Sequence, residues 1–308
     1  MKIKNHTYQD FILNNDYEGE VKATFISADS NTYKRPVVLY IHGFIDYFFH
    51  PHVSSFLDEN GFDFCALELR KYGHALMAHQ HPNYCKSITE YFEEVDAAVL
   101  KIREINSEEI ILMGHSTGGL VSSAYLNSGA KRDQVSALVL NSPFLEVNMP
   151  SIMRKISKPL SGFIGGLGPF LKLNGMLTPV YPSSIHEDYE GEWPFDKELK
   201  PIEGFPVYFN WSRAIMNAQD ELKVNSNIKV PILLMHSHDS YLPSKHEPRV
   251  MKSDIVLNVE HMKAIGPKLG KNVTMVEIQN GIHDLFLSPK PVRELALDTM
   301  AKWLSDTI

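Results

Sequence analysis

Between residues 37 and 145 two hydrophobic patterns take turns along the chain. Short runs that are wholly or mostly apolar occur at Val37–Ile41, Phe62–Leu69, Ile110–Met113 and Val135–Leu140, interrupted only by Asp63, Glu68 and Ser136. Runs of that length, with little or no polar alternation, predict strands covered on both faces. Between them apolar residues recur every three to four positions. Val53 to Asn60 predicts a helix, with Gly61 where a C-terminal capping glycine would sit. Ser87 to Ile105 carries the helical period through Ile88, Tyr91, Phe92, Val95, Val99 and Ile102, and Ser87 with Glu90 has the form of a capping box. Leu120 to Leu126 predicts a third helix. Ahead of this rhythm Val21 to Ala28 alternates, with Val21, Ala23 and Phe25 on one face, and predicts a strand; residues 1 to 19 show no period. The rhythm returns at Pro231–Met235 (strand), Asp254–Leu269 (loop, then helix), Val273–Ile278 (strand) and Glu294–Leu304 (amphipathic helix). Regular alternation of strand and helix predicts an α/β fold, a mostly parallel, doubly wound sheet with helices on both faces.

The pattern breaks between about Glu146 and Lys229. This stretch holds Gly162, Gly165, Gly166 and Gly168, many prolines, and the aromatics Phe163, Phe170, Tyr181, Trp193, Phe205, Phe209 and Trp211. The expected division is a core made of residues 1–145 and 230–308, with 146–229 inserted as a helical cap. A long insertion without the strand–helix beat is usually functional, such as a lid; the plainer reading is a small helical subdomain with no gating role.

Composition narrows the classes. The chain has 308 residues, 44% of them hydrophobic, enough for one large core plus an insertion. Its net charge of −7 comes with no basic block, which argues against nucleic acid as partner and gives no polybasic membrane anchor. The first residues carry charge without an apolar stretch behind them, and no apolar run reaches the ~18 residues of a membrane span. Two cysteines, Cys65 and Cys85, make no disulfide framework and read as free thiols in a reducing compartment. The expectation is a cytoplasmic protein.

The candidate chemistry lies at the end of the run Ile110–Met113, in Gly114-His115-Ser116-Thr117-Gly118. A serine at the tip of a strand-to-helix turn sits in a strained conformation and projects from the sheet. Side chains two residues before and after would collide, so Gly114 and Gly118 leave the space. The helix that follows aims its free N–H groups at the same spot. A serine hydroxyl is a poor nucleophile, and needs a base in reach and an acid to orient that base. In a doubly wound sheet such groups gather at the carboxyl ends of the strands. His283, just past the last strand, fits the base. Two carboxylates compete for the acid. Asp239 lies nearest the end of the strand Ile232–Met235, and Asp254 lies further on. An acid loop, a helix and a strand between acid and base take about 30 residues, which favours Asp254. Asp254 would also suit a helix N-cap. An oxyanion needs two backbone donors; the N–H of Thr117 and that of Phe44 in His42-Gly43-Phe44 are the candidates, with Gly43 allowing close approach. His42 and His115 read as hydrogen-bonding support, not as catalysts.

These segments, with Leu67-Glu68-Leu69-Arg70-Lys71-Tyr72-Gly73 and Gly281-Ile282-His283, resemble the α/β-hydrolase superfamily. The nearest likeness is its monoacylglycerol lipase/lysophospholipase-like branch, also called serine aminopeptidase S33-type hydrolases. The resemblance covers about residues 20–145 and 230–306. It implies a serine hydrolase acting through an acyl-enzyme on lipid-like or small acyl esters, with no cofactor. Asp254-Ile255-Val256 resembles the branch's Asp-x-Val acid loop. Glu68 stands where the family often has Asp, and Ser237 and Ser240 stand where it usually has Gly and Asp, which leaves Asp239 in contention.

Two rival functions remain. A proline-iminopeptidase-like peptidase would need acidic groups over the site, and Glu187, Asp188, Glu190 and Glu192 form an acidic run that could serve or could be a solvated face. A non-catalytic binding protein on the same fold is the other. The pairs His50/His52 and His79/His81 show no third ligand in sequence, so no metal site is expected.

Overall fold

The computed structural model describes residues 2–149, 151–175, 177–243 and 245–308. Among these, eight strands form one sheet: β1 (His6–Ile12), β2 (Lys22–Ala28), β3 (Val37–Ile41), β4 (Asp63–Glu68), β5 (Ile110–His115), β6 (Ala137–Asn141), β9 (Ile232–Ser237) and β10 (Val273–Ile278). Their spatial order is β1-β2-β4-β3-β5-β6-β9-β10. β1 and β2 run antiparallel to their neighbours, and the strands from β4 to β10 are parallel. Because side chains alternate across a strand, the continuous apolar runs split into two layers. Leu39, Ile41, Leu112, Leu138 and Leu234 point into one core, which also takes Val95 and Val99 of α2 (Phe92–Ile105) and Leu120 of α3 (Thr117–Ser128). Val38, Tyr40, Met113, Val139 and Leu233 point the other way, onto Leu57 of α1 (Pro51–Glu59) and Met300 and Leu304 of the C-terminal helix (Lys290–Thr307).

The predicted helix from Ser87 begins as a 3-10 turn over Ile88–Tyr91 and becomes α at Phe92, and the Ser87–Glu90 capping box is present. Gly61 takes a positive φ of 85° after α1, as a capping glycine should. One strand escaped the sequence. β1 lies within the stretch that showed no period, at the sheet edge, with mostly polar and exposed residues. Its register against β2, His6 opposite Ala28 through Ile12 opposite Lys22, is set by the pairing and not by an apolar face. Cys65 in β4 and Cys85 before α2 are both buried and unpaired; burial pushes the Cys85 thiol up to about 12 and the Cys65 thiol higher.

Between β6 and β9 the chain leaves the sheet. It forms α4 (Ser151–Leu167), the short ribbon β7 (Lys172–Leu173) with β8 (Val207–Tyr208), α5 (Val180–Ile185) and α6 (Phe209–Asn225). These parts are not alike. α6 places Trp211, Ala214, Ile215 and Met216 in the same core as β5 and α3. α4 lies on α6, where Gly162 meets Arg213 and Gly165 meets Asn210, and Arg154 and Lys158 pair with Asp220 at 2.6 Å each. Its other face exposes Ile152, Ile156, Leu160, Phe163 and Leu167. No helix among the described residues is long and apolar enough to cross a membrane.

The contrast predicts opposite outcomes for two leucines. Leu112→Ala, at a fully buried position of β5, should cost roughly 2–5 kcal/mol of unfolding free energy in urea titration. Leu160→Ser, on the outer face of α4, should stay within about 0.5 kcal/mol.

Candidate active site

β5 ends in Ser116, whose backbone sits at φ 51°, ψ −116°. A side-chain-bearing residue pays on the order of 1–3 kcal/mol for such a state, and keeps it only when its surroundings impose it. The Ser116 N–H donates to the Asn141 carbonyl at 3.1 Å, and the Ser116 carbonyl accepts from Gly119 and Phe144 at 3.0 and 2.9 Å. The glycines on either side are steric necessities. A Cβ on Gly114 would lie 2.5 Å from the Gly118 carbonyl, and one on Gly118 would strike the carbonyls of Ile41 and His42. Gly43 approaches as closely: its Cβ would be 3.3 Å from that of Ser116.

Three residues distant in sequence meet here. His283, in the loop after β10, has Nε2 3.0 Å from Ser116 Oγ and Nδ1 2.9 Å from Asp254 Oδ2. All three are buried. An ionised carboxylate can only accept, so Nδ1 carries the proton and Nε2 is left to accept from the serine hydroxyl. The other Asp254 oxygen accepts from the N–H groups of Val256 and Leu257 at 2.9 and 2.8 Å, which fixes the carboxylate. Asp239 lies elsewhere. Its side chain is 35% exposed and paired with Arg249, while its backbone carbonyl accepts from the Asp254 N–H at 2.9 Å. The N–H of Thr117 opens α3, where no intrahelical acceptor exists, and Phe44 lies in the turn that Gly43 brings against Ser116.

The supporting histidines are tied into the backbone. His42 Nε2 accepts from the Leu69 N–H at 3.1 Å, and Nδ1 faces the Gly43 carbonyl at 2.8 Å. His115 Nδ1 faces the Asn141 carbonyl at 3.1 Å. Glu68 binds loops together, accepting from the N–H groups of His74 and Phe48 at 2.6 and 3.3 Å. Ser237 donates to the Gly281 carbonyl at 2.6 Å and so anchors the His283 loop to β9. His50 faces Asp284 at 3.0 Å, His52 donates to the Phe286 carbonyl at 2.9 Å, His79 faces the Glu20 carbonyl at 3.1 Å and His81 faces Glu18 at 2.6 Å. No group of three or more metal-ligating side chains occurs among the described residues.

A cavity of about 240 Å³ opens over Ser116 and His283. Its far wall comes from the 146–229 segment, including Leu177, Tyr181, Lys200 and Glu203. The acidic run lies outside it: Asp188 pairs with Lys197 at 2.7 Å and Glu192 with Arg293. Sequence reasoning missed four polar residues at the site. Tyr181 sets its ring 5.5 Å from that of His283, and its hydroxyl accepts from the Asp284 N–H at 3.2 Å. Asp46 and Lys200 form a buried ion pair at 2.7 Å on the cavity wall. Asp284 is buried between His50 and Asn141; burial alone would raise its pKa, but His115, His50 and the Asn141 amide hold it well below the usual carboxylate range. Only spatial neighbours mark these residues, and no local sequence pattern does.

A family model for serine aminopeptidase, S33, matches residues 32–289. No curated protein is matched by sequence. The fold is shared with solved structures at low identity. A soluble variant of monoglyceride lipase from Saccharomyces cerevisiae, in complex with a substrate analog, superposes with a TM-score of 0.71 at 15% identity, over 100% of this chain and 99% of that one. Monoacylglycerol lipase from Paleococcus ferrophilus gives 0.64 at 18%, over 98% and 100%. Mouse alpha/beta hydrolase domain-containing protein 10 gives 0.58 at 15%, over 97% and 99%. The architecture is thus that of an α/β-hydrolase.

Burial also sets the acid sensitivity. It lowers His115 and His52 to about 4 each. A histidine harder to protonate folded than unfolded adds stability that is complete above its unfolded value of ~6.5. That stability is lost as pH falls toward 4, and the depressed Asp284 acts in the same direction below its own unfolded value. The free energy of unfolding should therefore fall from pH 7 to 4.5, by on the order of 1 kcal/mol per pH unit for each imidazole, and the thermal midpoint should fall with it. His52→Gln, which keeps a donor toward Phe286, should flatten the curve.

Proposed function

The chain belongs to the serine aminopeptidase S33 family, and we propose that within this family of hydrolases it cleaves carboxylic esters through an acyl-enzyme. The observation that carries the reading is His283, which reaches Ser116 with one ring nitrogen and Asp254 with the other. Ser116 Oγ attacks the acyl carbonyl while His283 Nε2 takes its proton. Asp254 orients the ring and stabilises the imidazolium that forms. The N–H groups of Phe44 and Thr117 hold the oxygen as it becomes anionic. Collapse expels the alcohol, protonated by His283, and leaves the acyl group on Ser116. Water, deprotonated by the same ring, then releases the acid.

The cavity supports small substrates. At about 240 Å³ it is below the usual range for ligand sites of ~300–1,000 Å³. Short acyl esters, or the acyl end of a monoacylglycerol or lysophospholipid, fit its mostly apolar lining. The segment 146–229 acts as the cap: residues 177 to 204 supply the wall opposite Ser116, while α6 stays part of the core. The two buried, unpaired thiols suit a reducing compartment such as the cytoplasm. A peptidase reading has one observation in its favour, the exposed carboxylate of Glu203 on the cavity wall, which could receive a substrate amine. The ester reading is preferred because the acidic run lies outside the cavity.

Two measurements decide these points. Ser116→Ala should lower kcat on p-nitrophenyl butyrate by roughly 10⁴-fold or more and abolish fluorophosphonate labelling. Asp254→Asn should lower it by roughly 10²–10⁴-fold, and Asp239→Asn by no more than about twofold. Across acyl lengths the rate should peak at short chains. Faster turnover of aminoacyl-naphthylamides than of any ester would replace the esterase by a peptidase.

A further inference from the structure

The turn that carries Phe44 is strained, and something must hold it. Ile45, next to Phe44, sits at φ 50°. The left-handed region is a marked outlier for a β-branched residue. Asp46 follows directly, 2% exposed, and its Oδ2 accepts from the Gly43 N–H at 3.3 Å across the turn. Its Oδ1 accepts from Lys200 Nζ at 2.7 Å. Lys200 comes from the 146–229 segment, is itself 7% exposed, and lies 5.1 and 5.6 Å from the ring centroids of Phe49 and Phe195. The same segment grips the turn a second time, since Trp211 of α6 packs on the Phe44 ring with centroids 4.0 Å apart.

A buried ion pair is a poor device for stability alone, because its desolvation cost offsets most of the attraction; an apolar pair of similar volume would serve as well. What such a pair does supply is a fixed geometry. Asp46 reaches both the Gly43 N–H and Lys200, so the two ends of the strained stretch are held by one carboxylate, and that carboxylate is held from across the cavity. Burial would raise the Asp46 pKa, but Lys200 and the histidines around it keep it low, so the anion persists for the lysine to bind.

We propose that Asp46 and Lys200 are positioning residues: together they lock the His42–Asp46 turn so that the Phe44 N–H faces the oxygen developing charge at Ser116. The segment over the cavity would then complete the catalytic turn as well as shape the acyl site. This rests on the esterase reading and on the Phe44 assignment, and acts through the transition state, not through substrate binding.

The test pairs kinetics with an analogue of the charged intermediate. A trifluoromethyl ketone adds to Ser116 to give an alkoxide in the oxyanion position, and the matching methyl ketone binds without adding. In Lys200→Met, kcat for p-nitrophenyl butyrate should fall by roughly 10- to 100-fold, with KM and methyl-ketone affinity nearly unchanged. Trifluoromethyl-ketone affinity should weaken by the same factor as kcat. Lys200→Arg should recover most of both. Should Lys200→Met fail to fold, the uncharged pair Asp46→Asn with Lys200→Met removes the stranded buried charge and should show the same loss. Unchanged kcat and trifluoromethyl-ketone affinity in folded variants, whatever their melting temperature, would reduce the pair to a structural staple and overturn the proposal. Retained activity in Ser116→Ala, or no trifluoromethyl-ketone binding by the unaltered protein, would instead remove the esterase reading and, with it, the positioning role of Asp46 and Lys200.

Discussion

Everything at the site depends on how closely three backbone segments approach one another beneath Ser116. The strand β5, the first turn of α3 and the turn after β3 meet with no room for a methyl group at Gly114 or Gly118. That contact holds Ser116 in a conformation it would not otherwise adopt, and the strain lifts its hydroxyl off the sheet toward His283. The parallel sheet makes this possible. It brings the ends of β3, β5, β9 and β10 to one rim, where loops from 42, 116, 254 and 283 converge.

The strand–helix rhythm was legible because both faces of the central strands are buried, so each apolar run stands out whole. β1 was not, because an exposed edge strand needs no apolar face and leaves no trace in the pattern. The insertion broke the rhythm for a different reason. No strand of the main sheet separates its helices, and the helical period that α4 does carry, Ile152, Ile156, Leu160, Phe163 and Leu167, faces outward, while its inner face meets α6 through glycines and long-range ion pairs such as Arg154 with Asp220. The separation of α6 from α4 shows only in what each one touches.

At the site the same division holds. Ser116 announces itself through its glycines, and His283 and Asp254 through their positions after strands that could be counted. The count points to Asp254, whose Oδ2 lies 2.9 Å from His283 Nδ1, while Asp239 pairs with Arg249. Asp46, Lys200, Tyr181 and Asp284 had no such marker. Lys200 meets Asp46 across 154 residues of chain and Asp284 meets His50 across 234, so only the folded chain makes them neighbours. The peptidase alternative drew on an acidic run that turns to Lys197 and Arg293 at the surface, while the carboxylate that does line the cavity, Glu203, sits alone in sequence.

The two cysteines have a practical corollary. Alkylating and oxidising reagents react with thiolates, and both sulfurs are sealed in the core as thiols at neutral pH. Burial of both sulfurs should therefore keep the folded chain unreactive toward maleimides. A spin label or fluorophore attached through one new cysteine on the outward face of α4 would report from that helix alone, against a background the native sequence already keeps dark.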